Sequence, residues 1–262
     1  MGKLFDKIRD LRKPTRPFCS VVVVAAGRSE RMGKDKLLLP LAGRTVLAHT
    51  LLAVDRSERT DEIILVTRED LMVPFADICK QIGLKKPVKI VKGGESRTES
   101  VLSGALETDS RAELIAVHDG ARPLVDPKLI DTVAESAQQT NASAPAVPVT
   151  DTVKVVDARN VVRSTPDRGT LFAVQTPQIF QAELLRASLQ SAVTCGVSLT
   201  DDCAAVERLG KQVQLVNGDS REVVTAVDID PEFGLVVRQA DGTEKTVRSG
   251  EVSVRGMYGY VE

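Results

Sequence analysis

Apolar positions along the chain fall into two alternating patterns. Four short runs are apolar and rich in β-branched residues: Val21 to Val24, Ile63 to Val66, Val88 to Val91 and Leu114 to Val117. Near-continuous apolarity over so few residues marks strands covered on both faces, as in a mostly parallel sheet. Between them the spacing is helical: Leu71, Phe75, Ile78 and Ile82 share one face, as do Val101, Leu102, Ala105 and Leu106. Another helix is expected after Asp126, an N-cap residue, with Pro127 in its first turn and Leu129, Ile130, Val133 and Ala137 on one face. Strands and crossover helices in this order predict the α/β class, with a doubly wound, mostly parallel, Rossmann-like sheet.

Beyond residue 144 the pattern changes. Prolines punctuate Ala144-Pro145-Ala146-Val147-Pro148, and Val153 to Val156 and Val161 to Val162 flank a turn at Ala158-Arg159-Asn160, so residues 147–171 are expected to form a protruding β arm. Helices should follow from Gln181 to Val193 and from Thr200 to Leu209, the second capped by Thr200 and ended by Gly210. After Val213 to Val216 the chain turns at Asn217-Gly218, and strand-like runs around Asp241-Gly242 predict a small C-terminal β appendage. At the other end Leu4, Phe5, Ile8 and Leu11 recur at helical spacing until Pro14 and Pro17. The expected organisation is a basic N-terminal arm over 1–18, a main domain over 19–228 and the appendage over 229–262.

Composition narrows the partners. The 262 residues are 42% apolar with a net charge of −1, which disfavours a nucleic-acid surface, and no apolar run approaches the ~20 residues of a membrane span. Small molecules or a second copy of the chain remain. The first twenty residues are basic and lack the apolar stretch and cleavage site of a secretory signal, so a cytoplasmic protein is expected. Cys19, Cys79, Cys195 and Cys203 show no C-x-x-C spacing and read as reduced thiols; His49 and His118 are far apart, so any metal should be oxygen-bound and His118 structural.

Three motifs carry chemistry. Ala25-Ala26-Gly27-Arg28-Ser29-Glu30-Arg31-Met32-Gly33 follows the first strand, with Lys36 behind it. Small residues let backbone N–H groups approach phosphate, and Arg31 and Lys36 supply positive charge, a pattern distinct from the Walker loop and from G-x-G-x-x-G. A plain glycine turn with solvated basic residues is the alternative. His118-Asp119-Gly120-Ala121-Arg122-Pro123 stands where the fourth strand ends, the edge at which open α/β sheets bind ligands. Asp119 is placed to hold magnesium between phosphates, and Arg122 to bind phosphate or brace the loop; a capped turn with a local ion pair is the bland reading. Gly93-Gly94-Glu95-Ser96-Arg97-Thr98-Glu99-Ser100 lies between a strand and a helix, where glycines admit a flat base and Ser100 can hydrogen-bond a pyrimidine edge; it can also be only a turn.

Together with Asp35-Lys36-Leu37, Asp151-Thr152-Val153-Lys154, Gln175-Thr176-Pro177-Gln178 and Thr200-Asp201-Asp202, these motifs in this order resemble the 2-C-methyl-D-erythritol 4-phosphate cytidylyltransferases of the non-mevalonate isoprenoid pathway, over about Ser20 to Thr225. The resemblance implies a magnesium-dependent nucleotidyltransferase that joins CTP to a sugar-alcohol phosphate and works as a homodimer. It implies that the backbone of Ala25, Ala26 and Gly27, with Gly94, Glu95 and Ser100, holds the cytidine, that Arg31 and Lys36 hold the triphosphate, and that Asp119 binds nucleotide and metal. Thr152, Arg168, Thr176 and Thr200 would surround the acceptor phosphate, with Arg168 reaching in from the neighbouring subunit's arm. Arg31, Lys36 and Arg168 would carry catalysis by neutralising charge.

The chain departs from that pattern in two places. Where the family carries Asn-Ile-Lys-Val-Thr, this chain reads Arg221-Glu222-Val223-Val224-Thr225, with Val223 in place of a phosphate-binding lysine and Arg221 the nearest cation. Beyond Asp228 the sequence resembles the small C-terminal β module of biotin protein ligases. Two competing readings are a cytidylyltransferase acting on ribitol 5-phosphate and a non-catalytic nucleotide-binding protein.

Overall fold

The computed structural model describes residues 16–27, 35–197, 199–208, 212–217, 220–229, 235–239, 241–247 and 253–256; within 212–217, 220–229 and 253–256, and at 235 and 247, only the backbone is described. The first half of the chain runs β1 (Cys19–Ala25), a 3-10 turn (Lys36–Leu38), the short pair β2 (Pro40–Leu41) and β3 (Arg44–Thr45), α1 (Val46–Arg56), β4 (Glu62–Thr67), α2 (Met72–Ile82), β5 (Val88–Lys92), α3 (Arg97–Leu106), β6 (Leu114–Asp119) and α4 (Pro127–Thr140). The second half continues with β7 (Ala142–Ser143), β8 (Ala146–Pro148), β9 (Val155–Val156), β10 (Val162–Ser164), β11 (Phe172–Val174), β12 (Gln178–Gln181), α5 (Ala182–Thr194) and α6 (Cys203–Val206). Five further strands follow: β13 (Gln212–Asn217), β14 (Ser220–Ile229), β15 (Leu235–Arg238), β16 (Glu244–Val247) and β17 (Ser253–Gly256).

The central sheet has the order β5-β4-β1-β6-β12-β7. Its first four strands are parallel, and β12 joins β6 antiparallel. Strand alternation sends each parallel strand's side chains to two cores. Val21 and Val23 of β1, Ile63 and Leu65 of β4 and Ala116 of β6 pack on one face with Leu47 and Leu51 of α1, Phe75 of α2 and Ile130 and Val133 of α4. Val22, Ile64, Val66, Ile115 and Val117 pack on the other with Val101 and Ala105 of α3 and Leu185 and Leu189 of α5. Both faces of β1, β4 and β6 are covered, which is why these three read as apolar without alternation, whereas the edge strand β5 keeps Lys89 and Lys92 exposed. At Gly104 of α3 a Cβ would stand 2.6 Å from methyls of both Val22 and Val66, so only glycine lets the helix lie this close to the sheet.

Most helix signals match the chain's local chemistry. Asp126 caps α4 with Pro127 in its first turn; Ser96 and Glu99 form a reciprocal capping box on α3; α2 ends on Gly83 at φ +63°. The helix expected from Thr200 to Leu209 is a correction: Cys203–Val206 is a single turn, and Thr200 does not cap it. Gln178 and Arg97 hold the preceding residues instead. Gln178 Oε1 accepts from the Asp202 and Cys203 backbone N–H groups at 3.0 Å each, which supplies these donors with an acceptor from β12.

The arm is present as two antiparallel pairs, β8 with β11 and β9 with β10, the latter closed around Asp157, whose carboxylate accepts from the N–H groups of Arg159 and Val161. It leaves Val147, Val155, Val156, Val162, Phe172 and Val174 exposed. At the C-terminal end β13 to β17 form one antiparallel sheet of order β16-β15-β14-β13-β17, with Gly242 at φ +86° in the hairpin expected around Asp241-Gly242. Residue 228, the expected edge of the appendage, lies inside β14. The N-terminal helical pattern over Leu4 to Leu11 falls outside the described residues.

Candidate active site

In the parallel part of the sheet the order reverses between β1 and β6, and their C-terminal ends open onto a crevice, the place where doubly wound sheets bind ligands. Backbone contacts sew the loops at this edge together. The Gly120 N–H donates to the Val24 carbonyl at 2.9 Å, its carbonyl accepts from the buried Thr50 hydroxyl of α1 at 2.8 Å, and the Gly93 N–H donates to Thr67 at 2.8 Å. A Cβ on Gly93 would sit 3.0 Å from Ala26 Cβ and 2.7 Å from Ser100 Oγ, so the loops after β1 and β5 touch through glycine. Gly27 faces open space. Ala25, Ala26, Gly27, Gly94, Ser100 and Asp119 are thereby brought to one edge, as their motifs imply.

Within the Gly94 loop, Glu99 Oε2 accepts from the N–H groups of Glu95 (2.7 Å) and Ser96 (3.2 Å). Ser100 is buried and its hydroxyl donates to the Ser96 carbonyl at 2.8 Å, so its oxygen keeps capacity to accept. Glu95 is exposed.

Asp119 is half-buried at the end of β6 between two guanidinium groups. Arg122 Nε is 2.9 Å from Oδ2 and Arg97 Nη2 is 3.6 Å from Oδ1. Its aim is set by a chain of hydrogen bonds behind it. The Asp119 N–H donates to Thr176 Oγ1 (3.3 Å), the Thr176 hydroxyl meets His118 Nδ1 (3.0 Å) and His118 Nε2 meets the Arg122 carbonyl (3.3 Å). A carbonyl can only accept, so Nε2 carries the proton and Nδ1 accepts from Thr176. Burial pushes the His118 pKa down to about 4 against the opposing hydrogen bond to Arg122, keeping the ring neutral. His118 is a structural residue here, as expected, and it braces the Asp119 loop.

Arg97, within the Gly93 to Ser100 motif, has a role that the motif does not announce. Its guanidinium forks onto Asp202, 2.9 and 2.8 Å, and lies beside Asp119. Burial works against its charge, and the bonds to Asp202 outweigh it, so its pKa is raised. Arg68 was also missed: it donates to the Gly27 carbonyl at 3.0 Å and pairs with Asp35 at 3.2 Å and Asp70 at 3.1 Å. Gln178 was missed as the residue that organises 201–203. No local pattern signals these contacts, since Arg97 and Asp202 stand 105 positions apart.

The other expected residues are distributed as follows. Lys36 is exposed at the start of the 3-10 turn, capped by Asp35. Thr200 is exposed at the head of the segment held by Gln178. Thr152 and Arg168 are exposed on the arm, where Arg168 donates to the Thr150 carbonyl at 3.1 Å. Arg31 lies outside the described residues. Val223 is on β14 opposite Gln214, and its side chain, like that of Arg221, is outside the description. Among the described residues there is no group of three or more His, Cys, Asp or Glu side chains able to hold a metal, and no helix is long and apolar enough to cross a membrane.

Residues 19–230 match the family described as 2-C-methyl-D-erythritol 4-phosphate cytidylyltransferase. The chain belongs to this family. It is therefore a nucleotidyltransferase. A relative of that name from Caldanaerobacter subterraneus subsp. tengcongensis is 44% identical over 207 residues, 78% of this chain and 91% of that one. One from Parasynechococcus marenigrum is 42% identical over 226 residues, covering 84% and 99%. Among solved structures, 4-diphosphocytidyl-2C-methyl-D-erythritol synthase from Anaerococcus prevotii superposes with a TM-score of 0.66 at 31% identity, over 73% of this chain and 83% of that one. The cytidylyltransferase of Thermus thermophilus superposes with a TM-score of 0.56 at 29% identity, with 73% and 83% coverage. Residues 209–255 match the biotin protein ligase C terminal domain. The β13–β14 hairpin thus belongs to both family matches, and the cytidylyltransferase family's final hairpin is also the first of the appended sheet.

Proposed function

We propose that the protein transfers the cytidylyl group of CTP to 2-C-methyl-D-erythritol 4-phosphate and releases pyrophosphate, in isoprenoid precursor synthesis. The observation that carries this reading is the meeting, at the β1–β6 switch point, of a glycine-lined edge with a carboxylate braced by two guanidinium groups, in a chain of this family. The open backbone at Gly27 and the packed glycines at Gly93 and Gly94 suit a flat pyrimidine, and Ser100 Oγ can accept from its exocyclic amine. Lys36 and Arg31 neutralise the triphosphate.

An oxygen of the acceptor phosphate attacks the α-phosphorus of CTP, and the bond to the bridging oxygen of the β-phosphate breaks, so that pyrophosphate leaves with the electron pair. Both reactants are anionic, so alignment and neutralised charge supply the rate, without a covalent enzyme intermediate. Nucleotidyltransferases of this kind generally use a divalent metal. A single half-exposed carboxylate beside phosphate oxygens fits magnesium, which takes few protein ligands and keeps its other positions for phosphate and water. Asp119 would hold it, and the ion would neutralise phosphate charge. Thr176 and Thr200 face the acceptor phosphate, with Thr152 and Arg168 supplied from the arm of a second subunit.

The arm's exposed valines and Phe172 support a homodimer, since a two-stranded ribbon is marginal without a surface to cover it. We place the enzyme in the cytoplasm. By the same reading the N-terminal arm spans 1–18 and the catalytic domain ends near 228, with the appended sheet borrowing its last hairpin. Mass spectrometry of the products formed from CTP with methylerythritol phosphate, and separately with ribitol 5-phosphate, tests the assignment. A cytidine diphosphate product from the first acceptor is expected. Product from ribitol phosphate alone overturns the acceptor, and no product from either favours the non-catalytic reading that Val223 suggests.

A further inference from the structure

Arg97 occupies the first position of α3, where the helix macrodipole disfavours a cation, so its placement rests on partners from elsewhere. Asp202 is the main one. Its side chain is 1% exposed and receives both guanidinium nitrogens, Nη1 to Oδ1 at 2.9 Å and Nη2 to Oδ2 at 2.8 Å, the bidentate geometry that only arginine provides. The same Nη2 lies 3.6 Å from Asp119 Oδ1. On its far side the Asp202 segment is held by Gln178, whose Nε2 donates to Asp201 Oδ2 at 3.1 Å and whose Oε1 takes two backbone N–H groups. The Gly94 loop is held by other bonds, with Glu99 accepting the N–H groups of Glu95 and Ser96 and the Thr67 carbonyl that of Gly93. The hydrogen bonds of the Arg97 guanidinium therefore go to the segment headed by Thr200, with Asp119 beside it.

We propose that Arg97 is a positioning residue for the acceptor half of the site: through Asp202 it holds the Thr200–Asp202 segment, without touching substrate. The inference rests on the reading that Thr200 faces the acceptor phosphate. Two properties separate it from a plain structural strut. Loosening the segment must weaken the acceptor more than CTP, and the two partners must act as one unit.

The test uses full-length protein with Arg97→Lys, Asp202→Asn and the double variant. Calorimetry measures the affinity for CTP, and that for methylerythritol phosphate in the presence of a non-reactive CTP analogue; thermal melting follows the fold. Each single variant is expected to weaken the acceptor about tenfold and CTP less than threefold, and the double variant to be no worse than the weaker single, as interacting partners in one network behave. Equal loss for both ligands, a fall in melting temperature with unchanged acceptor affinity, or additive effects would each overturn the proposal. Absence of turnover by the parent protein would refute the transfer reaction alone, because the Arg97 claim is read from binding; absence of any acceptor binding to the parent would sink both.

Discussion

The neutral His118 makes stability depend on pH in a direction and amount that follow from its setting. The ring is buried, donates to the Arg122 carbonyl and accepts from Thr176, and its pKa is pushed down to about 4 from 6.5. The unfolded chain takes up the proton near 6.5 while the folded chain resists it to about 4, so between those values the unfolded state binds more protons and stability falls as pH falls. The full effect is roughly 2.5 pKa units at about 1.4 kcal/mol each, about 3.5 kcal/mol, present above pH 6.5 and lost toward pH 4. At pH 5 about 2 kcal/mol of it should be gone. Asp202 works oppositely: burial raises its pKa against the pull of Arg97, so its contribution is retained at low pH and lost as pH rises. Urea unfolding at pH 7.5 and 5.0 should therefore compare the parent with His118→Gln. The parent should lose about 2 kcal/mol more than the variant between the two pH values. Equal losses would mean that the ring titrates normally and that the His118–Thr176–Asp119 chain is not formed as described.

Three other outcomes are expected. Lys36→Ala should lower kcat/KM for CTP by roughly 10²-fold, about 2.7 kcal/mol, with an unchanged melting temperature; near-parental steady-state kinetics would remove Lys36 from the triphosphate site. Gly104→Ala should cost about 1–3 kcal/mol in urea unfolding, because its new methyl meets Val22 and Val66 at 2.6 Å, while CTP affinity in the surviving fold stays put. Mixing inactive Arg168→Ala subunits with inactive Asp119→Asn subunits should restore activity, since a heterodimer regains one intact site if the arm is shared; no recovery, or a monomer by light scattering, contradicts the shared arm.

The parallel strands and their helices were legible because their signals are local: β-branched runs sandwiched between two cores, helical spacing and caps such as Asp126-Pro127. That the glycine loops and the Asp119 hexapeptide meet was legible because each follows a strand of the parallel sheet, whose C-terminal ends share one edge. The helix expected from Thr200 was misjudged because Thr200 looks like its cap, whereas in the fold Asp201 accepts from the Ala204 N–H, Gln178 and Arg97 hold the segment by its carboxylates, and only one turn remains. Strand β12 gave no signal, as Gln178 and Gln181 bracket just two apolar residues, Ile179 and Phe180, both buried. The Arg97–Asp202 and Arg68–Asp35 pairs are long-range, and charged side chains in a sequence do not announce their partners. The C-terminal boundary was blurred for a topological reason: β14 pairs on both sides, with β13 and with β15.

The central claim is tested most directly by presenting the enzyme with equal concentrations of CTP, ATP, GTP and UTP together with methylerythritol phosphate, and following pyrophosphate release and the nucleotide incorporated. The proposed base site at Ala25–Gly27, Gly94 and Ser100 predicts incorporation of cytidine well ahead of the other three. Equal use of ATP would contradict it, because the proposal assigns the glycine-packed edge and the Ser100 hydroxyl to a pyrimidine and its amine.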